Sequence, residues 1–177
     1  QGQTDAQVKF FTRGADYSLF LTADEAVFVL PGNGAESPTT LRLKLGEGNP
    51  APEIEALDLQ QSYVNYYIGN DPAHWRAKVP RFAKVRYKSV YPGIDLVYHG
   101  SQQLLEYDFV VAPGADPTPI QLSFSADSSS VSLQLTDAGD LLVETAGKVL
   151  RQKKPVAYQE IDGKRRAERS QLCLTNR

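Results

Sequence analysis

The chain predicts an all-β fold, a single antiparallel β-sandwich-like domain built from many short strands. Helical periodicity of apolar residues is nearly absent along its 177 residues. Period-two alternation recurs instead, most cleanly in LRLKL, where Leu41, Leu43 and Leu45 are expected inward and Arg42 and Lys44 outward. Turn-forming residues punctuate the chain about every 8–12 residues, the spacing of a sandwich or barrel.

Taken in order, QVKFFTRG is a short strand ending at Gly14. YSLFLTADEAVFVL reads as two strands around a turn at Ala23, Asp24 and Glu25, with Leu19 and Leu21 sharing one face and Val27 and Val29 another. PGNGAESPTT is a loop. After LRLKL, GEGNPAPEIEALD is a second loop followed by a strand, and YVNYYIG is β-like by its aromatic and β-branched content. NDPAHW predicts a turn or one helical turn, with Asn70 or Asp71 as cap and Pro72 at the first position. FAKVRYKSVY alternates again, and PGIDLVYHG restarts a strand after a Pro-Gly turn. LLEYDFVVAPG, IQLSF and VSLQL are further strands, DAGDLLVETAG holds a turn and a strand, and KPVAYQEIDGKRR is a closing hairpin with Asp162-Gly163 at its tip. Glycines at Pro92-Gly93 and Pro113-Gly114 are expected at positive φ, as type II turns require. SLFLTADEAVFV and SLQLTDAGDLLV echo each other, which two hairpins under the same steric rules explain without duplication.

The densest stretch is 65–100, which holds the single tryptophan and both histidines. Its alternation predicts core strands and one anchoring turn, with Tyr66, Ile68, Trp75, Val85, Tyr87, Ile94, Leu96 and Tyr98 buried. The domain is expected to span 1–166, and 167–177 to form a basic C-terminal tail, frayed or cut short.

Hydrophobic residues make up 41% and charged residues 23%, which fits a globular chain with a real core and excludes disorder as a whole-chain description. A net charge of -2 carries no footprint of general nucleic-acid binding. Cys173 has no second cysteine to pair with and anchors no thiolate metal site alone. No window approaches the ~20 apolar residues of a transmembrane segment. The absence of methionine and the start at Gln1 lead to the expectation that a signal peptide or other leader has been removed or that the sequence begins at a chosen boundary.

Three groups of residues invite chemistry. Glu106 and Asp108 sit two residues apart on one strand face, roughly 7 Å from each other, with Asp95 placed to join them from a neighbouring strand. Such carboxylates serve glycoside hydrolysis or bind Ca²⁺. Plain alternation with Leu105, Tyr107 and Phe109 explains the same spacing and is preferred. His74, Trp75 and Arg76 follow a turn. Trp75 beside Arg76 suits stacking on a sugar ring, whereas burial as a plug that anchors the loop is the preferred reading. The basic run from Arg76 to Lys88 suits an anionic polymer but reads better as a solvated strand face. His99 has no second ligand at metal spacing, no phosphate loop or nucleophile elbow is present, and no metal or other cofactor is expected.

YVNYYIGNDPAHWRAKVPRFAKVRYKSVYPGIDLVYHG, continued by LEYDFVVAPGADPTPIQLSF, resembles an uncharacterised N-terminal β-rich domain of large secreted bacterial proteins. Those proteins carry β-propeller-type (SBBP) repeats or immunoglobulin-like modules. The opening QGQTDAQVKFFTRGADYSLFLTADEAVFVL and the closing RQKKPVAYQEIDGKRR are similar as well, so the resemblance covers Gln1 to about Arg166. It implies export, an extracellular or cell-surface location after signal-peptide removal, and membership of a larger protein. It transfers no activity and no catalytic residue. The expectation is a non-enzymatic structural or interaction module whose partners are other domains of a surface protein, or glycans. The alternatives are a carbohydrate-binding module with an aromatic platform near Trp75, and a glycan-active enzyme using Asp95, Glu106 and Asp108.

Overall fold

A computed structural model describes residues 5–14, 16–32, 36–101, 104–127 and 129–175. The strands are β1 (Phe10–Arg13), β2 (Ser18–Leu21), β3 (Glu25–Leu30), β4 (Thr39–Leu45), β5 (Glu53–Tyr66), β6 (Arg76–Tyr91) and β7 (Ile94–Ser101). They continue as β8 (Leu104–Val111), β9 (Leu122–Ala126), β10 (Ser132–Leu135), β11 (Leu141–Thr145), β12 (Lys148–Gln152), β13 (Ala157–Ile161) and β14 (Lys164–Glu168). One 3-10 turn, Pro72–His74, is the only helical element among the described residues. The all-β antiparallel expectation holds.

Two sheets make the sandwich. One has the order β1-β2-β3-β4-β9 and the other β5-β6-β7-β8. Alternation sets what each contributes. Leu19, Leu21, Ala26, Phe28, Leu41 and Leu43 face inward from the first sheet, and Val85, Tyr87, Ile94, Leu96 and Tyr98 from the second. Leu41 and Ile94 are fully buried. The three-stranded sheet β10-β11-β12 adds Leu141 and Val143 to the same core. Tyrosine hydroxyls tie the layers together: Tyr87 Oη donates to Thr22 O at 2.6 Å and Tyr91 Oη to Gly46 O at 2.8 Å. Leu105 N donates to Tyr17 Oη at 2.9 Å.

Burial raises the ionisation of Tyr87, Tyr98 and Tyr107 well above the ordinary tyrosine value, because a phenolate there loses its water. The neighbouring carboxylate of Asp24 adds to the effect at Tyr87, and Tyr87 and Tyr107 add to it at Tyr98.

The expectation of uniformly short strands fails at β5 and β6, which run 14 and 16 residues. They pair as one long ribbon whose register shifts between Leu59 and Tyr63 and again between Val64 and Tyr66. Asp58 and Lys78 hold positive φ there (56° and 54°), and the resulting bulges let Pro80 sit opposite Tyr63 without spoiling a central ladder. The ribbon outruns the sandwich. It leans on β1, where Phe82 meets Phe10 and Tyr66 meets Phe11. A second ribbon, β13-β14, is a separate two-stranded sheet whose residues are almost all exposed, with Arg165 over the Tyr158 ring at 4.4 Å.

Gly93 and Gly114 have φ of 72° and 82°, as expected for their turns, and Asp162 and Gly163 (51° and 70°) form the anticipated hairpin tip. Strand β12 was not foreseen. Its turn is Ala146-Gly147, both at positive φ (49° and 70°), and alanine lacks the Asn or Asp signature of such a turn. The two echoing segments are both hairpins clamped by a threonine. Thr22 Oγ1 accepts from Glu25 N at 3.1 Å and Thr136 Oγ1 from Asp140 N at 3.1 Å. Beyond β14, Leu172 packs against the core.

Candidate functional site

The tip of the β5-β6 ribbon carries the aromatic candidates. Asp71 caps the 3-10 turn, its Oδ1 accepting from Ala73 N at 2.9 Å, with Pro72 at the first position. That matches the local expectation. Burial does not. Trp75 is 39% exposed and Ile68 59%, because no layer among the described residues covers the ribbon tip. Both were expected in the core. Tyr66 is half-buried against Phe11. Trp75 still anchors its loop: Nε1 donates to Gly69 O at 3.1 Å, and its ring meets Tyr67 edge-on at 5.3 Å and 67°. His74 Nδ1 lies 3.2 Å from Asp71 Oδ2. Arg76 Nη1 donates to Ala73 O and Trp75 O at 3.0 and 2.9 Å. Each of the three therefore makes bonds that brace the turn. Leu59, Tyr63 and Tyr67 extend the apolar surface along the ribbon, each more than half exposed.

The carboxylates lie elsewhere, on the outward face of the second sheet. In register, Asp95 pairs with Val110, Val97 with Asp108, and His99 with Glu106. His99 is the centre of the group: Nε2 is 3.0 Å from Asp108 Oδ2 and Nδ1 is 3.8 Å from Glu106 Oε2. Asp95 Oδ1 instead accepts from Ser89 N at 2.8 Å, and its other oxygen is 4.0 Å from Arg86 Nε. The structure therefore brings Glu106 and Asp108 together and directs Asp95 to other partners. Sequence spacing alone did not reveal His99 as their shared partner. The cross-strand register supplies that link.

Of the basic run, Lys84 and Lys88 stand on this sheet in ion pairs, whereas Arg81 Nη1 on the ribbon reaches Ser62 Oγ at 3.3 Å. Lys88 Nζ is 2.9 Å from Glu53 and 3.5 Å from Glu55, and Lys84 Nζ is 2.9 Å from Asp58. The Glu53 hydrogen bond raises the Lys88 pKa above the ordinary lysine value. The face is thus a ladder of acidic β5, basic β6 and acidic β8. Among the described residues, no group of His, Cys, Asp and Glu is arranged to hold a metal ion.

Two cavities among the described residues are lined by neither Asp95, Glu106, Asp108 nor Trp75. One, about 60 Å³, opens between the sheets over Tyr87, Leu96 and Tyr98, with Lys44 and Asp24 at its mouth. The other is shallow and charged, beside Lys9, Glu25 and Arg42. Arg42 there bonds Asp127 and Glu25, each at 2.9 Å, which lifts its pKa above the ordinary guanidinium value and holds the Asp127 carboxyl below the usual range. The Arg42, Glu25 and Asp127 charges are satisfied within the protein.

A described family of domains of unknown function, DUF7948, matches residues 1–172. The chain belongs to it. The DUF7948 match takes in both ribbons and reaches Leu172, the last residue to pack on the core. No curated protein and no solved structure shows a significant match. Among the described residues, no helix is long and apolar enough to cross a membrane.

Proposed function

We propose that the domain is a non-enzymatic interaction module of a secreted or cell-surface bacterial protein, and that the β5-β6 ribbon is its contact element. One observation carries this. Leu59, Tyr63, Tyr67, Ile68 and Trp75 are exposed on a single braced ribbon, whereas Lys84 and Lys88 of β6 on the outward face of the adjoining sheet are paired with carboxylates of β5. Exposed aromatic side chains fixed on a rigid element are the usual anchors of protein contacts. Export and linkage to repeat modules rest on the family resemblance alone.

The glycan-binding alternative draws on the same side chains. Sugar platforms present flat ring faces, and the 67° angle between Tyr67 and Trp75 favours a protein partner over a sugar. The enzyme alternative needs an acid and a base converging on one concave site. Glu106 and Asp108 instead converge on His99 on an outward face.

A photo-crosslinking residue at position 68, expressed in the parent organism, tests the proposal. The expected result is a discrete adduct with a neighbouring domain or surface protein, lost when Tyr67 and Trp75 are replaced by alanine. Saturable quenching of Trp75 by soluble glycans, or glycan cleavage abolished by Glu106→Gln, would replace it with one of the alternatives.

A further inference from the structure

The free edges of the two sheets are not equivalent. The first-sheet edge β1 is covered by the ribbon through Phe82 and Tyr66. The β5 edge is broken by register shifts. Strand β8 is different. It pairs with β7 through eight consecutive residues without a bulge, and among the described residues no strand lies on its other side. Ala112 N donates to Gly93 O, which fixes the phase of the ladder. Even-numbered residues of β8 therefore bond β7, and the N–H and C=O groups of Leu105, Tyr107, Phe109 and Val111 point away from it. Tyr17 takes the N–H of Leu105. Beyond it, the edge groups of Tyr107, Phe109 and Val111 have no strand partner among the described residues.

Open edges are normally blunted by lysine, proline, a bulge or a covering segment. Strand β8 contains no lysine or proline, and its exposed face carries Glu106 and Asp108 at 52% and 65% side-chain exposure. Residues 92–147 contain eight carboxylates and no lysine or arginine. Two β8 edges brought together repel, so a second copy is disfavoured there. A strand with basic residues at alternate positions would meet Glu106 and Asp108 as cross-strand pairs. Its intervening apolar residues would extend the half-buried row of Leu105, Tyr107 and Phe109, which packs on the core.

We infer that the β8 edge is a strand-addition site for an extended partner segment that alternates apolar and basic residues. Main-chain bonds to Tyr107, Phe109 and Val111 supply the attachment, and Glu106 and Asp108 select the charge. This surface is separate from the ribbon tip and stands or falls independently of it.

The probe is a synthetic peptide of alternating valine and lysine, titrated into the ¹⁵N-labelled domain, with a valine–glutamate peptide as control. The lysine peptide is expected to shift and protect the amides of Tyr107, Phe109 and Val111, and the glutamate peptide to leave them unchanged. Glu106→Lys with Asp108→Lys is expected to weaken binding roughly tenfold or more, from the loss of two cross-strand charge pairs. Val111→Pro removes an N–H that the β7 ladder does not use, so it blocks the edge while the fold persists. Retained binding in Val111→Pro, equal response to both peptides, or shifts confined to Tyr67, Ile68 and Trp75 would overturn the assignment.

Discussion

The β6 strand belongs to two different environments. From Val85 to Tyr91 it is sandwiched between layers, with Val85, Tyr87, Val90 and Tyr91 buried. From Arg76 to Ala83 it is half of a ribbon, with residues exposed or half-buried. The sequence in both halves is aromatic, β-branched and interleaved with Lys and Arg. Alternation therefore specifies a strand and its two faces, whereas burial requires a second layer opposite one face. That layer is supplied by β2, β3 and β4 for the inner half and by little except β1 for the outer half.

The contrast is broken most severely from inside. Ile94→Ala, at a fully buried site, is expected to lower stability by about 2–5 kcal/mol through lost transfer energy and the cavity left behind. Thermal or urea unfolding measures it. The same truncation at Ile68, exposed at the ribbon tip, is expected to stay within about 0.5 kcal/mol. Equal losses at the two sites would contradict the division.

The turns differ in the same way. A Cβ on Gly93 would stand 2.8 Å from Ala115 Cβ in addition to occupying φ of 72°, whereas at Gly114 (φ 82°) nothing lies within 4 Å. Gly114→Ala is expected to cost about 1–2 kcal/mol from backbone strain alone. Gly93→Ala is expected to cost more, and paired melting curves decide it.

Titration separates the sandwich from its periphery. The raised ionisations of Tyr87, Tyr98 and Tyr107 leave their stabilisation complete below pH about 10, the unfolded tyrosine value, and remove it as pH rises through the folded values. Alkaline unfolding should be cooperative, and Tyr98→Phe should delay it. The β11-β12 sheet behaves oppositely. Asp140 accepts from Lys154 N at 2.8 Å and from Arg151 Nε at 2.8 Å, and these bonds hold its carboxyl below the usual range. That contribution is present above pH about 4 and is lost as pH falls through the lower folded value. Asp140→Asn should make stability between pH 5 and about 3 less pH-dependent, a smaller change than the alkaline one.

Much of the fold was legible because its cues are local. LRLKL placed Leu41 and Leu43 in the core, Pro92-Gly93 and Asp162-Gly163 marked their turns, and Asp71 with Pro72 announced the capped 3-10 turn. The strand after Ala146-Gly147 was missed because alanine at positive φ sends no turn signal. The continuity of β5 was missed because Asp58 and the register shifts interrupt its alternation. For the candidate site, the shared face of Glu106 and Asp108 followed from period two, but His99 reaches them only through the register of β7 on β8. Exposure of Trp75 and Ile68 was the largest misreading, since no local pattern states whether a second layer covers a strand.

The single tryptophan makes that last point measurable. Trp75 fluorescence in the native domain should be red-shifted from that of a core tryptophan and be quenched by acrylamide, because the ring is 39% exposed on the ribbon. A loss of about 1 kcal/mol or less should accompany Trp75→Ala, which removes one hydrogen bond to Gly69 and one ring contact. Blue-shifted, quencher-protected emission in the isolated domain, which would place Trp75 beneath a layer, would contradict the account of the ribbon as the exposed contact element.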